Sequence, residues 1–274
     1  CKFAIEVAHG SLRNLHGGMA RFVLHSLTGS SLEVTLSAED TIANLKDAVA
    51  EEWHIPNICQ RILCGAEVVG PDDRTCKAYL NNDDGHCVLT VVVDLSLVCD
   101  DLESAVEDVR LRALRILGNL SSSHPCGSAI PCLIRRMQSE LVPHIRRMVI
   151  QVLVSVAGRG NRDVIATLCS SLETNSGWYS KMGTAKALSK LVYVGDTTVL
   201  QDMLKHLTST CSDTRVASMI VIFNIADAEN RSVIDAVSAR IQDNDVHVKE
   251  LANKVLLKLR NTAVEHEPME QACQ

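Results

Sequence analysis

Two regimes of hydrophobic patterning divide the chain. Residues 22–27 form an extended apolar run, Thr28-Gly29-Ser30-Ser31 reads as a turn, and Leu32, Val34 and Leu36 then alternate with Glu33 and Thr35. A period of two with turn residues between predicts a β-hairpin with one buried face. Ile42, Leu45, Val49 and Trp53 follow at three- and four-residue steps behind Asp40 or Thr41 as a cap, which predicts an amphipathic helix. His54-Ile55-Pro56 ends it, because proline restricts the residue before it and cannot continue a helix. Short strands are predicted at residues 60–64 and 87–93, joined through turn-rich residues 65–74 and 81–85.

From residue 109 the period becomes helical and then repeats. The pattern Val-Arg-x-x-Ala-x-x-x-Leu-x-x-Leu that starts at Val109 returns from Ile145, Ser180, Thr214 and Val248, a step of 34 to 36 residues. The fifth place is small or apolar (Ala113, Val149, Thr184, Ser218, Ala252), and the ninth and twelfth places are aliphatic. These places share one helical face. Between successive copies lies a second amphipathic stretch, at residues 130–137, 164–172, 199–207 and 233–241. A fixed period of paired helices predicts a solenoid, since one such unit cannot bury its apolar face alone. Residues 95–108 are acidic but carry Leu95, Leu97, Val98, Leu102 and Val106, which predicts a packed cap or half-repeat in place of a flexible tether. Residues 109–120 are then the expected joint between the two modules. The domain plan is a 1–18 extension, a 19–94 α+β domain, 95–262 helical repeats and a 263–274 polar tail.

Composition narrows the class. Hydrophobic residues make up 46% and aromatics only 3%, so the core is expected to be aliphatic. The formal charge is −6. Residues 19–94 hold twelve acidic against five basic residues, and residues 95–274 are balanced, so neither part reads as a nucleic-acid platform. No apolar run is long enough for a membrane helix, and the expected location is intracellular, cytoplasmic or nuclear. Eleven irregularly spaced cysteines with no Cys-x-x-Cys read as reduced thiols, many of them small core residues.

The order strand, strand, helix, strand, strand resembles the ubiquitin-like family. Leu27-Thr28-Gly29, Asp40-Thr41-Ile42, Leu45-Lys46, Ile55-Pro56, Gln60-Arg61-Ile62-Leu63, Arg74-Thr75 and Tyr79 fall in family order at near-family spacing across residues 19–94. The resemblance implies a β-grasp fold with an apolar recognition patch at Leu27, Leu63 and Thr90. It also exposes a departure: the last strand runs through Val91-Val92-Val93-Asp94 with no Gly-Gly, so the domain is expected to be a built-in recognition module. Leu12-Arg13-Asn14-Leu15-His16-Gly17-Gly18-Met19 resembles a junction between tandem ubiquitin units, which implies possible processing after Gly18.

The helical part resembles the HEAT and armadillo superfamily of α-solenoids. Asp108-Val109-Arg110 and Asp213-Thr214-Arg215 look like HEAT units, whereas Gly118-Asn119-Leu120 and Phe223-Asn224-Ile225 look like armadillo units. A two-helix HEAT-like unit is the reading adopted. Arg110, Arg146, Lys181, Arg215 and Lys249 at the second place are expected to pair with nearby loop acids and tie repeats together. The seventh and eleventh places carry the candidate groove: Arg115 and Asn119, Gln151 and Ser155, Lys186 and Lys190, Ile220 and Asn224, Lys254 and Lys258. A mildly basic stripe with amide donors suits an acidic peptide or another protein's backbone.

No phosphate-cradling glycine loop and no nucleophile elbow occurs. His86-Cys87 and His124-x-Cys126 match no zinc spacing, and no cofactor is implied. The fold class is therefore a ubiquitin-like β-grasp followed by an all-α HEAT/armadillo-like superhelix of helix pairs. The function expected is that of a non-catalytic adaptor linked to the ubiquitin–proteasome system, with proteins as partners: ubiquitin-receptor types, acidic segments, or both. The alternatives are a fragment of a ubiquitin-pathway enzyme whose catalytic domain lies elsewhere, and a purely structural scaffold.

Overall fold

The computed structural model describes residues 4–5, 19–80, 86–174, 177–227 and 230–265. The Gly17-Gly18 junction, the 81–85 turn and most of the 263–274 tail lie outside the described residues. Two compact units divide the chain, Cys1–Leu120 and Ser121–Gln274.

The first unit contains a mixed sheet of β1 (Ala4–Ile5), β2 (Met19–Ser26), β3 (Ser31–Ser37), β4 (Gln60–Cys64), β5 (Glu67–Val68) and β6 (His86–Val93), in the order β1-β3-β2-β6-β4-β5. Strands β2 and β3 form the antiparallel hairpin, and β2 pairs with β6 in parallel. Strand β5 arises where the sequence reads only as a turn; its two residues pair with Leu63 and Cys64 and leave no period to detect. One face of the sheet is buried through Phe22, Leu24, Val34, Ile62, Leu89 and Val91. Each fully buried side chain of this size contributes about 1.5–3 kcal/mol.

Helix α1 (Ile42–Trp53) buries Ile42, Leu45 and Val49, while Trp53 at its end stays half-buried. Its start is fixed by Asn44, whose Oδ1 accepts the Thr41 backbone N–H at 3.0 Å and the Thr41 hydroxyl at 2.8 Å. It stops at His54, which takes a left-handed φ of 56° just ahead of Ile55-Pro56. After the sheet, α2 (Ser96–Leu102) packs on α3 (Glu107–Leu120) and on the short helical turn Asn57–Cys59. Of the apolar residues of 95–108, Leu95, Val98 and Leu102 are buried, whereas Leu97 and Val106 are exposed.

The second unit is helical. Helices α5 (Pro143–Ala157), α7 (Trp178–Leu191), α9 (Ser212–Ile225) and α11 (Val246–Glu265) pack side by side in sequence order. Helices α4 (Ile130–Ser139), α6 (Arg162–Glu173), α8 (Thr197–His206) and α10 (Arg231–Ser238) form a second layer, each against its following partner. The fifth places Val149, Thr184, Ser218 and Ala252 are all buried, as are the ninth places Leu153, Leu188 and Ile222. In α11 the ninth place departs: Val255 is buried and Leu256 is half-exposed.

Two periodic devices set the repeat spacing. The second-layer helices α6, α8 and α10 start on Asn161, Asp196 and Asn230, whose side chains accept the backbone N–H of Val164, Val199 and Val233 at 3.1–3.2 Å. An Asn or Asp cap of this kind is worth about 1 kcal/mol over alanine. Gly160 and Gly195 donate their N–H to Leu191 and Ile225 carbonyls at 2.7 and 2.8 Å, linking each loop to the end of the next first-layer helix. Both have positive φ, 84° and 80°, and a Cβ would lie 2.7 Å from the Tyr193 ring or 2.5 Å from Asp227 Oδ2.

Candidate protein-binding groove

Second-place cations serve the scaffold largely through backbone carbonyls, and Arg215 also makes an ion pair of the expected kind. Arg110 Nη1 donates to the Ser104 and Ala105 carbonyls, both at 3.0 Å. Arg146 Nε donates to the Glu140 carbonyl at 2.8 Å. Lys181 Nζ, buried, donates to the Leu172 and Thr174 carbonyls at 2.5 and 2.9 Å and to Thr214 Oγ1 at 2.8 Å. Arg215 Nη1 donates to the Ser209 and Thr210 carbonyls at 2.8 and 3.2 Å. The shared task is to satisfy carbonyls left open where the preceding segment turns into the helix. Arg215 also pairs with a carboxylate, that of Asp243.

The seventh- and eleventh-place residues of three helices meet in one groove of about 780 Å³. Helix α5 contributes Gln151 and Ser155, α7 contributes Lys186 and Lys190, and α9 contributes Ile220 and Asn224. Arg147, Met182 and Tyr179 extend the same wall, and half-buried Val154 and Ile220 supply apolar surface over buried Ile150 and Ala187. The third place, held by Arg147 and Met182, lies four residues before the seventh. Third, seventh and eleventh places form one row along the helix, so Arg147 and Met182 extend the seventh- and eleventh-place stripe by one turn.

The electrostatics of this groove are one-sided. Arg147, Lys186 and Lys190 are exposed, no lining residue is acidic, and none of the three cations has a carboxylate partner among the described residues. Asn224, exposed, donates from Nδ2 to the Ile220 carbonyl at 2.7 Å.

Other members of the predicted stripe stand apart. Lys254 is exposed on α11 and does not line the groove. Lys258 stacks over the Phe223 ring at 4.7 Å and donates to the Phe223 carbonyl, so its charge is already engaged. Arg115 and Asn119 are exposed on α3 in the first unit. A second cleft of about 560 Å³ among α4, α5, α6 and α7 is rich in hydroxyls. They are turned inward: Thr167, Ser170 and Ser171 each donate to a carbonyl of α6 at 2.8–3.0 Å.

In the first unit, register places His25, Thr90, Leu63 and Val68 in one cross-strand row over β2, β6, β4 and β5. Val68 is 53% exposed and Leu63 and Thr90 are half-buried, while Leu27, 74% exposed, lies two residues beyond His25. Two residues of the expected patch, Leu63 and Thr90, are thus direct cross-strand neighbours, while Leu27 lies in the turn that follows β2. Val68 joins them through a strand that the sequence did not reveal.

Among the described residues no group of His, Cys, Asp and Glu could hold a metal ion, and no helix is long and apolar enough to cross a membrane. Nine described cysteines are free thiols.

Residues 96–189 match a family model described as HEAT repeats, in keeping with the paired helices of that span. Such repeats generally mediate protein–protein interaction and scaffolding. Among solved structures, the chain is similar to an archaeal HEAT-like repeats protein from Thermococcus onnurineus NA1, at 20% identity and a TM-score of 0.43, covering 61% of this chain and 70% of that one.

Proposed function

We propose that the chain is a non-catalytic adaptor whose helical unit binds an acidic protein segment in the groove of α5, α7 and α9. One observation carries this reading: Arg147, Lys186 and Lys190 line a concave surface that contains no acidic residue. Charges lodged in a concavity and left unpaired raise the local concentration of an oppositely charged partner. Gln151 and Asn224 add amide groups suited to a partner's backbone. The HEAT-type repeats over residues 96–189 support a binding role for the helical region.

The test is a fluorescence-anisotropy titration with a labelled glutamate-rich peptide, coupled to lysine acetylation read by mass spectrometry. Saturable binding that weakens with added salt and shields Lys186 and Lys190 from acetylation, while Lys254 stays reactive, supports the groove. Binding without that protection places the partner elsewhere.

For the first unit we propose a ubiquitin-like recognition domain. The parallel β2–β6 pair at the centre of the sheet, the hairpin β2–β3 and helix α1 supply the support. Leu27, Leu63 and Thr90, with Val68, form its proposed contact surface for ubiquitin-receptor-type partners. This second reading links the adaptor to the ubiquitin–proteasome system.

A further inference from the structure

Helix α7 carries a glycine, Gly183, that its own fold does not require. It lies six positions inside a helix that runs Trp178–Leu191, and its φ is not positive. A Cβ built on it meets no side chain and no neighbouring backbone within 4 Å. A glycine in a helix interior weakens the helix relative to alanine, and neither a tight packing contact nor an unusual backbone conformation compensates here. The open space above it belongs to the groove, which Gly183 lines one turn before Ala187. Ile150 and Val154 of α5 and Ile220 of α9 also face this groove, and Lys186 and Lys190 follow Met182 along α7 at four-residue steps.

We infer that the groove selects an acidic segment carrying one bulky aliphatic residue, and that this residue seats over Gly183. The inference rests on the groove reading above and adds the feature that discriminates among acidic partners. Charge complementarity brings the segment in, because the three cations are unmatched and no acidic residue lines the surface. An all-glutamate segment would leave the aliphatic surface of half-buried Val154 and Ile220 covered by charged side chains, which is unfavourable. A leucine flanked by glutamates matches both halves of the surface. The absent Cβ at position 183 gives that leucine room against the α7 backbone.

Two labelled twelve-residue peptides test this, one of glutamate, serine and glycine with a central leucine, the other identical with alanine at the centre. They are titrated against the full chain and against Gly183→Ala and Gly183→Leu. The leucine peptide should bind roughly tenfold or more tightly than the alanine peptide. Gly183→Leu should remove that preference while retaining the weak, salt-sensitive binding of both peptides, and Gly183→Ala should reduce it. Thermal melts should show both variants at least as stable as the parent, since either residue favours a helix over glycine. Equal binding of the two peptides to the parent, or an unchanged preference in Gly183→Leu, overturns the inference and leaves the groove reading standing. Failure of both peptides to bind the parent overturns both.

Discussion

Arg215 and Asp243 form a two-pronged ion pair across 28 residues of sequence: Arg215 Nε donates to Asp243 Oδ2 at 3.0 Å and Nη2 to Oδ1 at 2.7 Å. Their side chains are only 11% and 3% exposed. The pair joins the start of α9 to the turn before α11, and Asp243 Oδ1 also accepts the Asp245 N–H at 3.0 Å. Removing one partner of such a buried pair strands the other charge, at roughly 3–5 kcal/mol. Arg215→Ala should therefore lower the unfolding free energy by about that amount in a urea titration. A loss under about 1 kcal/mol would mean the pair is solvated like a surface bridge.

Acid should act through the same carboxylate. Burial alone would raise the Asp243 pKa, but hydrogen bonds from Arg215 and the Asp245 N–H, with the charge of Arg215 and a bond from Arg240, outweigh it and hold the group below the usual carboxylate range. A carboxylate with a depressed folded pKa stabilises the fold above its unfolded value, near 3.9, and that stabilisation is lost as pH falls through the folded value. Melting temperature followed from pH 6 to pH 2 should drop more steeply for the parent than for Asp243→Asn. Parallel curves would exclude Asp243 as a source of the acid sensitivity.

Thiol reactivity should separate sharply. Cys211 is exposed ahead of α9, and the backbone N–H and hydroxyl of Thr214, with the Asp213 N–H and the nearby Lys181 charge, pull its thiol below the ordinary value. Burial pushes Cys169 and Cys87 up to about 12. Brief iodoacetamide treatment of the native protein at pH 7.5 should label Cys211 first and leave Cys87 and Cys169 untouched. Labelling of the buried pair at a similar rate would contradict this assignment.

Leu63→Ala examines the open sheet face. Leu63 is half-exposed beside Thr90 and Val68, so its truncation should change stability by about 1 kcal/mol or less, while any binding to ubiquitin receptors is lost. Retained binding in a receptor titration would remove Leu63 from the contact surface.

Much of this architecture is legible in residue order because it follows from periodicity. The period-two run through Leu32, Val34 and Leu36 and the 34–36-residue recurrence of the Val109 pattern correspond to β3 and to the first-layer helices. What stayed hidden depends on contacts without a period. Strand β5 has two residues and exists only through its pairing with Leu63 and Cys64. The second-place cations read as ion-pair partners because acids lie near them in sequence, yet Arg110, Arg146, Lys181 and Arg215 each donate to backbone carbonyls, which sequence does not display. The groove stripe was visible at Lys186, Lys190, Gln151 and Asn224. Its apolar part was not, since Val154 looks like an ordinary core residue and only the packing of α5, α7 and α9 leaves it half-buried in the groove wall.

The central claim is that unpaired positive charge in the α5–α7–α9 groove captures an acidic segment, and a charge swap measures it most directly. The variant Lys186→Glu/Lys190→Glu and the parent are each titrated with a glutamate-rich peptide and with the same peptide carrying lysine in place of glutamate. Both substituted residues are exposed, so melting temperature should stay within a few degrees of the parent. The account predicts that the parent binds only the glutamate peptide and that the variant reverses this preference. Undiminished binding of the glutamate peptide by a folded variant would contradict it.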